Sequence, residues 1–324
     1  MGSNNPWKKF REKPTKMNTP DDQRNLMGNP EKQTWERPVN DKTEKIRQII
    51  STTRPGELRI VCLDAGQGDA TIVRLPNGKV MVIDCNVDNA PENIVEFLKD
   101  AGIKKIDYLV LTHPHMDHMS GTNDIADNFE VGEVWTTDYK REKSEETPES
   151  YEAYRTYVKS LEKLEKKGAT IKKPTASNDP LLKDGNLEIR AFGPSASIQG
   201  NNEDIHEESL VIHIKSDNTT ALFPGDTTNY QLDRISKYYP IKDTTFLHAP
   251  HHGSNEGANE EVMRQINPEH TVISVGKENP HGHPHDEAMK VYRRTTTGKN
   301  LYRTDKGTIA IRFDSNGKSI EVQK

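Results

Sequence analysis

The sequence predicts an α+β fold: two β-sheets packed face to face, with helices on the outside. Two observations predict it. Three strand-like runs early in the chain follow one another through short turns, which makes a meander. Later strand-like runs alternate with helical stretches, which makes a layered architecture with helices outside the sheets. A doubly wound parallel sheet is the alternative the same pattern allows.

The elements follow in order. ELRIVCL (57–63), ATIVRL (70–75) and KVMVID (79–84) read as strands, and Pro76-Asn77-Gly78 is a hairpin turn signal between the last two. PENIVEFLKDAG (91–102) reads as a helix, with proline near its start and glycine at its end. IDYLVLT (106–112) is a buried strand, followed by a short polar helix and the strand GEVWTT (132–137). Residues 138–150 read as a charged loop. Residues 151–167 form a helix with Tyr154, Tyr157, Leu161 and Leu164 on one face, which is the signature of core packing. Strands follow at 187–193, 209–215 and 220–225, a helix at 230–239 and a strand at 244–250. A helix near 258–267, a strand at 271–276, a helix at 286–296 and two closing strands complete the chain.

Residues 1–56 differ in texture. They lack apolar periodicity and carry 12 Lys/Arg against 7 Asp/Glu, whereas the remainder carries 33 against 43. Such a polar, basic, proline-interrupted segment cannot bury enough surface to fold alone. It is expected to be a flexible extension with a short helix near Asp41–Ile50, and a candidate for contact with DNA or a protein partner. The folded domain is expected over 57–324. The acidic body has no general pull on nucleic acid, so any polyanion must be met by local charge. No apolar run approaches membrane-spanning length, so no membrane contact is expected. The two cysteines, Cys62 and Cys85, lie in apolar runs and read as buried free thiols, which fits a cytoplasmic setting.

The chemistry concentrates in the histidines. All twelve follow residue 112, and most come in groups beside strand ends. In THPHMDHMSG (112–121), Pro114 pushes His113 into an extended conformation. Positions two apart then point the same way, so His113 and His115 can reach one cation. Asp117 and His118 come after the chain turns and can face a second point nearby. Imidazole and carboxylate donors without a thiol suit Zn²⁺ or Mn²⁺. A pair of metals needs further donors. Asp226 offers a carboxylate at a strand end, and His251 and His252 follow another strand. His206 precedes a strand and His213 lies within it; the loop residue His206 is the better ligand candidate. Asp64, Gln67 and Asp69 in DAGQGD form a polar turn beside a strand, where Gly66 and Gly68 permit tight backbone. His283 and His285 alternate in a proline-stiffened segment suited to holding a phosphate or protonating a leaving group.

HPHMDH matches the HxHxDH signature, and the chain here resembles the metallo-β-lactamase-fold hydrolases. LDAGQGDATIV (63–73), VIDCN (82–86), SLVIHI (209–214), LFPGD (222–226), APHHGS (249–254), VISVG (272–276), GHPH (282–285) and YRTDKGTI (302–309) occur in the order of one branch. That branch is similar to the nuclease-like domain of ComEC-type DNA-uptake proteins and their soluble relatives. The resemblance covers about residues 57–324. It implies an αββα sandwich with a dinuclear site at one sheet edge. His113, His115 and His206 would bind the first metal. Asp117, His118 and His251 would bind the second, with Asp226 bridging and His252 lining the site. Asp84 would accept a hydrogen bond that orients a ligand. Asp64, Gln67 and Asp69 would stand behind the ligands. Asp117 would orient the nucleophile, and His252, His283 or His285 would stabilise the phosphoryl group or the departing alkoxide. Asn86 stands where relatives commonly carry glycine, which bears on the local loop shape.

The resemblance implies a metal-dependent phosphodiesterase or nuclease acting on DNA or a small nucleotide. Two alternatives stand beside it. One is a hydrolase of another small ester, lactone or β-lactam. The other is a metal-stabilised regulatory subunit of a larger complex.

Overall fold

The computed structural model describes residues 41–52, 54–141, 147–200, 204–298 and 300–323. In chain order it contains α1 (Asp41–Ser51), β1 (Leu58–Cys62), β2 (Ala70–Arg74), β3 (Val80–Cys85), α2 (Ile94–Asp100) and β4 (Lys105–Val110). There follow α3 (Met116–Met119), α4 (Thr122–Asn128), β5 (Glu130–Trp135), α5 (Pro148–Lys166), β6 (Thr170–Lys172), β7 (Leu182–Asp184) and β8 (Leu187–Gly193). The rest comprises β9 (Val211–Ser216), β10 (Thr219–Phe223), α6 (Asn229–Tyr238), β11 (Phe246–His248), α7 (Glu260–Ile266) and β12 (His270–Ile273). Last come α8 (Asp286–Thr295), β13 (Leu301–Arg303), β14 (Ile309–Phe313) and β15 (Ser319–Gln323).

The strands form two sheets, in the orders β15-β14-β1-β2-β3-β4-β5-β6 and β13-β12-β11-β10-β9-β8-β7. Each sheet changes character along its width. In the first, β15 through β3 pair antiparallel and β3 through β6 pair parallel. In the second, β7 through β10 pair antiparallel and β10 through β13 pair parallel. The doubly wound alternative is thereby excluded. Strand alternation sorts the apolar residues. Leu58, Ile60 and Cys62 of β1 face a core shared with Ile212, Phe223 and Phe246 of the other sheet. Val61 and Leu63 face outward, onto a core completed by residues of α1, α2, α4 and α5. The outer face of the second sheet is covered by Leu232, Met263 and Tyr292 from α6, α7 and α8. The layers are therefore α, β, β, α.

Three local findings adjust the sequence expectations. Residues 1–40 of the expected extension lie outside the described residues. Its C-terminal part joins the fold: Ile46, Ile49 and Ile50 of α1 are buried in the outer core of the first sheet. Two strand arginines cap this helix. Arg59 donates to the Ile49 carbonyl at 3.0 Å and to Thr52 Oγ1 at 2.7 Å, and Arg74 donates to the Ile50 carbonyl at 3.0 Å. The folded unit thus begins ahead of residue 57. Likewise, α5 starts within the stretch expected as loop, because Thr147 caps it and Pro148 suits a first turn. Among the described residues, no helix is long and apolar enough to cross a membrane.

Candidate metal centre

The loops that leave β3 and β4 of one sheet meet the loops that leave β10, β11 and β12 of the other. Thr112, just past β4, ties the groups together. Its amide and hydroxyl each donate to Asp84 at 2.7 Å, and its carbonyl accepts from Leu210 N at 2.8 Å. Asp84 itself holds φ at 55°, a left-handed conformation that non-glycine residues adopt at a cost of about 1–3 kcal/mol. That twist turns its carboxylate inward, where Oδ2 accepts from His118 Nδ1 at 2.8 Å. The opposite nitrogen of His118 then faces the interior of the site.

His252 reaches the same point from the second sheet. His251 and His252 also sit at positive φ, 49° and 52°. His252 Nδ1 donates to the Ser274 carbonyl at 3.1 Å, so its neutral ring carries the lone pair on Nε2. His118 Nε2 and His252 Nε2 stand 3.2 Å apart. With both Nδ1 atoms engaged as donors, two neutral rings would point lone pairs at each other. A shared cation, a proton or a metal ion, resolves that conflict.

Asp226, just beyond β10, joins the two halves of the cluster. Its Oδ1 lies 3.3 Å from His118 Nε2 and 3.5 Å from His252 Nε2, and its Oδ2 lies 3.7 Å from His113 Nε2. Oδ1 is buried without a hydrogen-bond partner among the described residues. Asp117 Oδ2 approaches His252 Nε2 to 3.5 Å. His113 Nε2 and His115 Nδ1 are 2.8 Å apart. His206 packs 4.8 Å from the His115 ring, and Asp204 holds its Nδ1 at 3.0 Å, which leaves Nε2 as its other coordinating nitrogen. His115, His206 and Asp226 bring one ligand atom each within 4.8 Å of one another, and so do Asp117, His118 and His252. The donor set is imidazole and carboxylate throughout, which fits Zn²⁺ or Mn²⁺.

The local field agrees with this division. Burial is the largest influence and opposes charge on His118 and His252, but Asp226 and Asp84 together at His118, and Asp226, Asp69 and Asp117 together at His252, outweigh it and hold both rings well above their usual range. Burial would raise Asp226, yet His252 and His118 hold it well below the usual carboxylate range. Burial and neighbouring imidazoles push His113 well down and His115 down to about 3, so both rings are neutral and available as donors.

The structure brings together His113, His115, Asp117, His118, His206 and Asp226, six of the candidates named from the sequence. It corrects the place given to His251. That ring stacks on His206 at 4.6 Å and stands 3.8 Å from Asp226, while the place beside Asp117 and His118 belongs to His252. His252 is correspondingly the more deeply buried ring, at 2% side-chain exposure against 14% for His251. His213 lies in β9 stacked on Phe192 at 5.0 Å, within the sheet.

A cavity of about 200 Å³ opens over the cluster, lined by residues that include Gln67, His251, His281 and His283. His285 is not among them. Its Nδ1 accepts from Asn255 N at 3.1 Å and its Nε2 lies 3.3 Å from the His281 carbonyl. The chemical role expected for His285 is therefore replaced by a scaffolding one. Behind the cluster, Asp69 faces His252, His248 and His118 at 3.5, 3.8 and 3.9 Å. Asp64 stands apart: its carboxylate takes the Gly66 amide and faces Lys277 and Asp305, so it does not back a ligand. Asn86 fills the place where a glycine was expected. Its amide donates to the Ala65 carbonyl at 2.8 Å and accepts from Ser120 at 2.8 Å, clamping the DAGQGD loop. Gly68 has to be glycine there, since a Cβ would stand 2.4 Å from the Asp117 carbonyl.

Sequence reasoning did not find Thr112, Ser274 or Asn279. Their contributions run through backbone groups, a hydroxyl or an ordinary loop amide, and no spacing marks them.

Known proteins similar to this chain include two curated relatives. ComE operon protein 3 of Bacillus subtilis (strain 168) is 24% identical over 283 residues, covering 80% of this chain and 34% of that protein. Competence protein ComA of Neisseria gonorrhoeae is 24% identical over 269 residues, covering 83% and 34%. The chain thus spans about a third of the length of these curated relatives. Among solved structures, a diphosphatase from the PhnP family is 14% identical, with a TM-score of 0.44 over 80% of this chain and 99% of that chain. The metallo-beta-lactamase superfamily pattern matches residues 63–277, more than half of the sequence. By that match, and with two helix-covered sheets that bring their histidines and aspartates to one cluster, the chain belongs to the metallo-β-lactamase superfamily.

Proposed function

We propose that the protein is a metal-dependent phosphodiesterase, acting on DNA or a small nucleotide diester through a dinuclear centre. The observation that carries this reading is the division of Asp226. One carboxylate oxygen serves His118 and His252 and the other faces His113, at bridging geometry between two donor groups. His113, His115 and His206 would hold one cation, and Asp117, His118 and His252 the other. A pair of Zn²⁺ or Mn²⁺ ions would supply Lewis acidity and let water attack phosphorus at neutral pH.

The chain's own groups do the rest. Asp117, about one-third exposed at its side chain, is placed to accept a hydrogen bond from the attacking water and orient it. Asp84 holds His118 in one tautomer, and the Ser274 carbonyl does the same for His252. His283 and His251 line the cavity, where they would meet the oxygens that gain charge as the ester bond breaks. Among the described residues, the cavity lining holds no aromatic ring other than imidazole, which favours recognition of the phosphate over the base.

The reading includes a cytoplasmic setting, consistent with two buried free thiols, and a DNA or protein contact for the basic N-terminal extension. The test is to load purified protein with Zn²⁺ or Mn²⁺ and offer plasmid, single-stranded DNA and bis-p-nitrophenyl phosphate. Two metal equivalents and metal-dependent diester cleavage are expected. Cleavage of the dye ester without DNA would narrow the substrate to small diesters. Bound metal with no turnover of any diester would favour a regulatory subunit or a hydrolase of another bond.

A further inference from the structure

Between β12 and α8 the chain runs from Ser274 to His285 without helix or strand, yet two side chains hold it closed. The Asn279 amide nitrogen donates to the Gly276 carbonyl at 3.1 Å and to the His283 carbonyl at 2.8 Å. Its oxygen accepts the His283 amide at 2.8 Å. At the far end, His285 N donates to the Gly253 carbonyl at 3.0 Å, and the His285 ring accepts the Asn255 amide. Gly253 permits this approach, because a Cβ there would stand 2.6 Å from Pro284. His283 lies between the two fastenings. It lines the cavity above Asp226 and His252, and its Nδ1 is buried with no hydrogen-bond partner among the described residues.

We propose that Asn279 is a positioning residue: by closing this loop it presents the His283 ring to the anionic oxygens of a phosphoryl group in the cavity. Asparagine suits the task because one side chain offers both an acceptor and two donors, and the loop uses all three. Aspartate would set a charge against two carbonyls, and alanine would leave three backbone groups without their partner. The chemistry of the ligand rests on the phosphodiester reading; the closure of the loop does not.

The test uses the full chain loaded with Zn²⁺ as wild type, Asn279→Ala, Asn279→Gln, His283→Ala and the Asn279→Ala/His283→Ala double variant. Metal content and melting temperature are expected to stay at the wild-type level. Hydrogen exchange of the His283 amide should speed up in Asn279→Ala. The dissociation constant for inorganic phosphate, read by calorimetry, should rise about tenfold in Asn279→Ala and in His283→Ala, a loss in keeping with a displaced contact. The double variant should bind phosphate no more weakly than His283→Ala. Asn279→Gln keeps the polar groups but shifts them by a methylene, so it should fold and lose the same affinity. Wild-type phosphate affinity in Asn279→Gln, or losses that add in the double variant, would overturn the proposal. Neither readout needs turnover. A protein that cleaves no diester but shows these shifts keeps Asn279 in its role and removes the proposed function alone.

Discussion

His118 in α3 and His252 beyond β11, and His213 and His270 in the second sheet, are all buried to 3% exposure or less. Their company separates them. The first pair stands among Asp84, Asp69, Asp117 and Asp226 and is held well above the ordinary imidazole range. The second pair packs on Phe192 and on Tyr302 and Phe313. Burial pushes both of those rings down to about 4. Burial among apolar rings leaves His213 and His270 as neutral packing groups, whereas the carboxylates around His118 and His252 favour positive charge at that point.

The contrast breaks most severely at Asp226. Asp226→Asn should lower bis-p-nitrophenyl phosphate turnover by roughly 10³-fold, because it removes the carboxylate shared by both halves of the cluster. His270→Phe should leave turnover and metal content within about twofold, on the scale of an ordinary packing change. Elemental analysis beside the rate assay checks both. A sharper comparison sets adjacent residues against each other. His252→Ala should cost one metal equivalent per chain, while His251→Ala retains both.

The packing histidines make their own prediction in stability. His213 ionises near its ordinary 6.5 when unfolded and at about 4 when folded, mainly through burial and then through Arg190 and Lys215. Its neutral form therefore favours the fold fully above pH 6.5, and that contribution is lost as pH falls toward 4. The loss is on the order of 3 kcal/mol. Denaturant titrations at pH 7.5 and 4.5 should show a flatter pH dependence in His213→Leu than in wild type. The smallest effect concerns the thiols. Burial pushes Cys62 and Cys85 up to about 12, so neither should react with a thiol reagent at pH 8 until denaturant is added.

Much of this was legible in the sequence, for physical reasons. Alternating and helical apolar spacing marked most strands and helices, though not the short β6 and β7, and HPHMDH marked four donors that could converge. What escaped depended on backbone conformation. His251 and His252 are neighbours of one chemistry, both at left-handed φ, and no spacing tells which ring enters the cluster. The docking of α1 escaped because its three buried isoleucines sit in a polar stretch, and their anchors, Arg59 and Arg74, come from strands beyond it. Asn279 looked like any loop asparagine, since its partners are backbone atoms.

The meeting of loops from both sheets has a consequence for how the molecule assembles. Gly68 accepts a hydrogen bond from Ser274 Oγ across 206 positions of sequence, and His118 meets His252 across 134. Contacts so distant along the chain carry a large loop-closure cost and form slowly. The cluster therefore exists only once the two halves of the sandwich have docked. Any ion that occupies it selects that docked state and, by mass action, raises the free energy needed to pull the halves apart.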